Sequence, residues 1–575
     1  MTVDRRRLLG LFGVGAAAGC AATPQPPRAP LAADAIVLDG VSFAHGVASG
    51  DPDTTSVLLW TRAGSVGGGS HAVRWQVAED ESFQAIAAEG VAETSAARDH
   101  TVKVVADGLR PGTDYWYRFI AMTGQGSPVG RTRTLPEASS GEPVVLAVAS
   151  CSLHPNGLFN AYDAIARLES LHAVVHLGDY IYEYGAAEGD YGMANGRRLN
   201  RIPEPPREIV TLEDYRARHA QYKSDPNLQA AHARAPWIVV YDDHEVTNDG
   251  YLTGAENHQP EEGGWAARKA AALKAYFEWM PIREPEANRS LEAATYRSFR
   301  FGRSASLHML ETRLMSRTKQ LDYATDFYVP GPDGQPTPDR AGFMARLNDP
   351  ARRLLGEDQL AWLERDLSAA VEAGAAWQLI GNQVVMARVT APDFGALIPE
   401  ATLNAVLATL PAERRQSIRS LISLFGQNVP LNLDAWDGYP AERERLYAAL
   451  KRSGARPVAL AGDSHTFWVN RLADAGGGDI GIEFGTTAIT SPSPADSLGL
   501  PIAFANQAVN DANEEVRFVD FGPRGFLKLT LTPEQARGEL IAVSTITETP
   551  YRATVVKTFE AAAEPQGRIG ALRES

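Results

Sequence analysis

Ala173-Val174-Val175-His176-Leu177-Gly178-Asp179-Tyr180-Ile181-Tyr182 decides how this chain is read. A short apolar run of strand length stops abruptly in a glycine, a carboxylate and a phenol. In α/β folds ligands gather beyond the carboxyl ends of strands, so the residues that stop such a run are the ones that carry chemistry. The arrangement recurs. Val144 to Ala149 is followed by Ser150, Cys151 and His154; Trp237 to Tyr241 by Asp242, Asp243, His244 and Glu245; Val458 to Ala461 by Gly462, Asp463 and His465. Any one of these acids or imidazoles has a plain reading as a helix cap or a satisfied polar group. Four clusters of thiolate, phenolate, carboxylate and imidazole at corresponding strand ends make metal binding the leading reading.

Further apolar runs at Leu307 to Leu310 and Trp377 to Ile380 alternate with helical patterns, so residues 143–548 read as one large α/β unit. One helix is expected from Glu357 to Ala370, where Leu360, Leu363 and Leu367 share a face. Ahead of this unit, residues 35–135 show short alternating segments such as Val73-Arg74-Trp75-Gln76-Val77, separated by Gly-rich and Asp-rich turns. They predict a small all-β sandwich. Leu109-Arg110-Pro111-Gly112 before the aromatic strand Asp114 to Phe119 resembles the tyrosine corner of fibronectin-type sandwiches. Residues 549–575 are read as a C-terminal tail.

A chain of 575 residues exceeds what one hydrophobic core organises, which agrees with this division. With 44% hydrophobic and 22% charged residues it is an ordinary globular composition. The net charge of -15 argues against a nucleic-acid-binding surface and suits a site that holds cations.

Residues 1–34 read as a targeting segment and spacer. Arg5-Arg6-Arg7 precedes the apolar, small-residue run Gly10 to Ala22, the pattern of a twin-arginine export signal, so the export machinery is an expected partner and the periplasm or exterior the expected location. No later apolar stretch is long enough to span a bilayer. Ala17-Ala18-Gly19-Cys20 also resembles a lipoprotein box, which leaves lipidation of Cys20 as a second reading. Cys151 is then the single thiol of the exported part, either a buried inert residue or a protected ligand.

The donor types choose the cations. A thiolate and a phenolate are polarisable anions that favour a high-charge transition metal, so Cys151 and Tyr182 point to ferric iron. Asp179, three residues before Tyr182, is placed to bridge that iron to a second cation. Asp243 and Asp463 offer the oxygens that a harder second cation would want.

These residues carry a family resemblance. Gly178-Asp179-Tyr180-Ile181-Tyr182 is similar to the Gly-Asp-x-x-Tyr element of purple acid phosphatases, and Asp242-Asp243-His244-Glu245 to the Gly-Asn-His-Glu element of metallophosphoesterases. Gly462-Asp463-Ser464-His465 stands where that superfamily has Gly-His-x-His, and cysteine replaces its usual first aspartate. This combination resembles the PhoD-like phosphatases, as do Phe43 to Pro52, Gly356 to Leu363 and Trp436 to Arg443. The resemblance implies an α/β metallophosphoesterase-like sandwich, two sheets flanked by helices, preceded by the small all-β sandwich domain. It also implies Fe3+ held by Cys151, Asp179, Tyr182 and His465, and Ca2+ held by Asp179, Asp243 and Asp463.

Asn248 is a further expected ligand, and His154 and Asn382 are expected at the substrate. Arg313 has two readings, a charge-assisted hold on a phosphate oxygen or a structural salt bridge. His244 is the natural group to protonate the leaving alkoxide. The activity implied is that of an exported alkaline phosphatase acting on phosphate monoesters and diesters. A phosphodiesterase or phospholipase-type enzyme on the same centre is the near alternative. A non-catalytic exported binding protein is the distant one, and it would not need the strand-end ligand set.

Overall fold

The computed structural model describes residues 40–65, 69–332, 334–408, 412–494 and 501–575. The export signal, the spacer and Cys20 lie outside these residues. Strands Val144–Ala149, Ala173–His176 and Trp237–Val239 lie side by side and parallel. Every residue in them is buried, which is why they read as continuous apolar runs rather than as alternation. They form the middle of a ten-stranded sheet. A second sheet of seven strands contains Ala305–Met309, Trp377–Gly381 and Pro457–Ala461, again parallel neighbours.

The two sheets pack face to face. Leu146, Val148, Val175 and Ile238 of the first meet Leu307, Leu379, Val458 and Leu460 of the second in one buried cluster. Each such side chain contributes about 1.5–3 kcal/mol on burial. The outer face of the ten-stranded sheet is covered by residues of helices Asn160–Ala166, Leu212–Lys223, Pro226–Arg234 and Trp265–Trp279. Gly356–Glu372, Pro440–Arg452 and Ile502–Ala512 cover the outer face of the other sheet. The result is the expected sandwich of two sheets between helical layers. Among the described residues no helix is long and apolar enough to cross a membrane.

Helix Leu212–Lys223 shows how local sequence positions the site. Thr211 caps it, its side chain accepting the Asp214 N–H while Asp214 returns the bond to the Thr211 N–H. The fixed helix then aims the buried Arg218 guanidinium at the backbone carbonyls of Tyr182, Glu204 and Pro205.

The N-terminal module is less separate than its sequence suggests. A four-stranded sheet, in the order Ile86–Thr94, His71–Ala78, Asp114–Ala121, Gly130–Arg133, packs through Val73, Val77, Tyr117 and Phe119 on Val47, Val57, Leu59 and Val102. Those last residues belong to strands Val47–Gly50, Val57–Arg62 and Thr101–Ala106, which are also the end of the ten-stranded sheet. The join is a bridge between Gly50 and Trp237. Tyr115 closes the expected corner, its hydroxyl accepting the Arg110 N–H at 2.8 Å. At the other end of the sheet, the stretch read as a tail supplies strand Ala553–Ala562, paired with Gln535–Val543 with one register shift at Val556.

Candidate metal centre

Four strands deliver the site. Pairing of Ala149 with His176, and of His176 with Val239, brings three parallel strands to an end at one edge of the ten-stranded sheet. Pro457–Ala461 delivers Asp463 and His465 from the facing sheet. The turns are tight. A Cβ on Gly178 would stand 2.3 Å from the Asp242 Cβ, and one on Gly462 would stand 2.4 Å from the Ser150 Oγ. Glycine is therefore required at both positions for the loops to touch.

Cys151, Asp179, Asp463 and His465 all hold left-handed backbone, with φ of 62°, 54°, 55° and 54°. Such conformations cost on the order of 1 kcal/mol or more each and persist where surrounding bonds impose them. The bonds are present. Cys151 N–H donates to the Gly178 carbonyl at 3.2 Å and Ser152 N–H to the Asp179 carbonyl at 2.9 Å. The buried Glu245 carboxylate accepts the N–H groups of Asp179, Tyr180 and Asp242 at 3.0, 2.5 and 2.7 Å, tying two of the loops together.

The donor atoms of Cys151, Asp179 and His465 lie within 4.8 Å of one another. Tyr182 joins them, its hydroxyl 3.2 Å from Asp179 Oδ2 and 3.4 Å from His465 Nε2. His465 Nδ1 sits 2.6 Å from the Pro492 carbonyl, so Nδ1 carries the proton and Nε2 presents its lone pair to the cluster. A second group, Asp179, Asp242, Asp243 and Asp463, meets the same 4.8 Å limit. Asp179 belongs to both.

Charge in this cluster is unbalanced. Burial, with Asp179 and Asp463 nearby, pushes the Cys151 thiol well up. Burial likewise raises the carboxyls of Asp179 and Asp463, against His244 for the first and Arg313 for the second. Burial would raise Asp243 too, but Arg313 and His244 hold it at about 2. Asp179 Oδ1, Asp242 Oδ2 and Asp243 Oδ1 are buried without a hydrogen-bond partner within the protein. Uncompensated buried oxygens cost several kcal/mol and call for cations. The residues present fit a thiolate, phenolate and imidazole site next to an all-carboxylate one.

His244 stands beside the shared carboxylate, grouped with Asp179 and Asp243. Its Nδ1 lies 2.7 Å from Glu183 Oε2. Glu183 is fixed in turn by Thr247 Oγ1, the Asn248 N–H and Asn257 Nδ2. Burial works against a charged ring here, yet Glu183, Asp179 and Asp243 raise the His244 pKa well above the ordinary value. An imidazolium so held is equipped to donate a proton.

Two expected residues fall elsewhere. The His154 ring packs against Phe159 and Tyr222, in an aromatic layer rather than among the donors. Asn382 spends its amide on the carbonyls of Val384 and Leu460, and its oxygen on the Trp436 indole. For both, local hydrogen bonding or packing claims the side chain. Asn248 gives its side-chain N–H to Glu256 Oε2 at 2.9 Å, which fixes the plane of the amide. For Arg313 the geometry contains the salt bridge: the fully buried guanidinium pairs with Asp242 and, at 2.7 Å, with Asp434. Its Nη2 faces Asp243 and Asp463 at 3.6 and 3.5 Å.

Glu183, Glu245, Asp242 and Asp434 are the site residues that sequence reasoning did not assign. Asp242 and Glu245 stand inside the Asp-Asp-His-Glu cluster, and Glu183 follows Tyr182 directly, so adjacency was the available signal. Asp434 had none.

Comparison with known proteins agrees with this geometry. The family model for PhoD-like phosphatase matches residues 146–540, and that for the PhoD-like phosphatase N-terminal domain matches residues 31–136. Alkaline phosphatase D of Bacillus subtilis is 35% identical over 525 residues, 88% of this chain and 78% of that protein. The solved structure of PhoD superposes with a TM-score of 0.74 at 32% identity, covering 94% of this chain and 93% of the other. The purple acid phosphatase PPD1 of yellow lupin shares the fold with a TM-score of 0.50 at 12% identity, over 92% of this chain and 75% of that one. A family match over most of the length, with a relative of this identity, shows that the chain belongs to the PhoD-like phosphatase family.

Proposed function

We propose that this phosphatase is an exported enzyme that hydrolyses phosphate monoesters and diesters at a mixed centre of ferric iron and calcium. The observation that carries this reading is that Asp179 is common to two unlike donor groups, one with Cys151, Tyr182 and His465, the other with Asp242, Asp243 and Asp463. Soft and phenolic donors on one side suit Fe3+, and hard oxygens on the other suit Ca2+. When bound, the two cations would neutralise the ester's charge and activate a water nucleophile. The chain does the rest. Asp179 holds the two positions in register, Glu183 orients His244, and His244 Nε2 delivers a proton to the departing alkoxide oxygen. Arg313 partly offsets the carboxylates it is buried among through Asp242 and Asp434, and its Nη2, without a hydrogen-bond partner and facing Asp243 and Asp463, is the atom that would hold a phosphate oxygen.

Dialysis against a calcium chelator is expected to inactivate the enzyme, and calcium is expected to restore it, because carboxylate sites exchange such ions. Full activity with calcium verified absent would overturn the second site. Export is tested separately. Lys replacement of both Arg5 and Arg6 is expected to leave precursor in the cytoplasm, since the pair is an address read by a receptor. Export and processing at the parent's efficiency would remove the twin-arginine reading and leave the phosphoesterase reading standing.

A further inference from the structure

Two tyrosines stand beside the centre, outside the proposed donor set. Tyr182 is buried, but Tyr184 and Tyr191 are each only partly buried, at the two ends of the loop segment 185–190. Their rings meet edge to face, with centroids 5.6 Å apart and planes at 66°, so they form an open corner. The corner is built against the catalytic groups. Tyr184 lies 5.4 Å from the His244 ring, and Tyr191 reaches His465 Nδ1 and the Pro492 carbonyl with its hydroxyl, each at 3.4 Å. Tyr182 packs beneath both, 6.5 Å from Tyr184 and 6.2 Å from Tyr191.

A group leaving phosphorus takes its proton on the His244 side, and so departs past Tyr184. Partly exposed aromatic rings at such a place offer a flat apolar face to whatever the oxygen carries. Among the described residues, no buried hydrophobic cluster includes Tyr184 or Tyr191, whereas Tyr180, two residues before Tyr182, is in one. Core packing therefore does not account for the pair.

We propose that Tyr184 and Tyr191 form a stacking wall that selects esters whose leaving group bears a planar ring, a nucleoside above all. The proposal rests on the phosphoesterase reading given above and names its substrate class. Base-on-aromatic stacking is worth about 1–3 kcal/mol, or roughly 5- to 150-fold.

A nucleoside 5′-phosphate and ribose 5-phosphate share the reacting phosphate and the same primary alkoxide, and differ only in the base. Their kcat/KM ratio therefore reads the wall and cancels any disturbance of the centre. In the parent the nucleotide is expected to be preferred by about 5-fold or more. Tyr184→Leu should bring the ratio close to one, while Tyr184→Phe, which keeps the ring, should preserve it. If Tyr184→Leu is inactive on both esters, Tyr191→Leu reads the same ratio. A parent ratio near one, or Leu variants that keep the parent's preference, overturns the wall and leaves the phosphoesterase reading intact. Failure of the parent to hydrolyse either ester overturns both.

Discussion

Asp179→Asn is expected to lower kcat by about 10³-fold or more while the protein folds and melts as the parent does. The loss follows from the position of this carboxylate. It is the one side chain common to both donor groups, with Oδ2 turned towards Cys151 and Tyr182 at 3.4 and 3.2 Å and Oδ1 free of protein partners. A neutral amide is a poor bridge between cations, and several kcal/mol of transition-state stabilisation correspond to about three powers of ten. Retention of fold follows from the backbone. Asp179 has φ of 54°, a left-handed conformation that asparagine adopts readily. Its N–H remains held by Glu245 and its carbonyl by Ser152. Activity above about a tenth of the parent, with unchanged circular dichroism and melting temperature, would remove Asp179 from the bridging role.

His244→Ala is expected to lower kcat by about 10² to 10⁴-fold for alkyl esters, the range of a positioned general acid. For esters whose leaving groups are already stable as anions the loss should be far smaller, because no proton is then needed. Glu183 Oε1 keeps its bonds from Thr247, Asn248 and Asn257 after the ring is removed, while Oε2 loses the His244 bond, so the variant should fold with some loss of stability. Equal losses across alkyl and aryl esters would instead make His244 a residue that positions Asp179 or Asp243.

What the sequence disclosed, and what it did not, divides along a physical line. The six apolar runs were legible because both faces of their strands are buried, which leaves no alternation to blur them. The converging donors Cys151, Asp179, Asp243, Asp463 and His465 were legible because each follows such a run, and donor chemistry separated them by kind. His154 and Asn382 stand just as near to strand ends, yet their direction is set by a Tyr222 ring and a Trp436 indole brought from far along the chain, while Asn248 lies further along its loop and gives its amide to the neighbouring Glu256. Glu245 and Glu183 went unassigned for the converse reason, since clamping two loops and orienting His244 are relations through space.

The same holds for the fold. That the N-terminal strands would continue the main sheet depends on Gly50 meeting Trp237, a pairing no local pattern announces. Ala553 to Ala562 was open to being read, since Thr554, Val555, Val556 and Thr558 are β-branched residues typical of a strand. Its place in the sheet came only from its partner Gln535–Val543.

In the proposed centre a lone thiolate and a phenolate hold ferric iron beside a calcium site, and the visible spectrum of the purified protein, taken with its metal content, reports on that arrangement. The parent should contain iron and show a charge-transfer band from Cys151 and Tyr182, because both are polarisable anionic donors. Tyr182→Phe and Cys151→Ala should each shift or abolish the band and reduce the iron bound. A parent without iron, or variants with the parent's iron content and spectrum, would contradict the assignment.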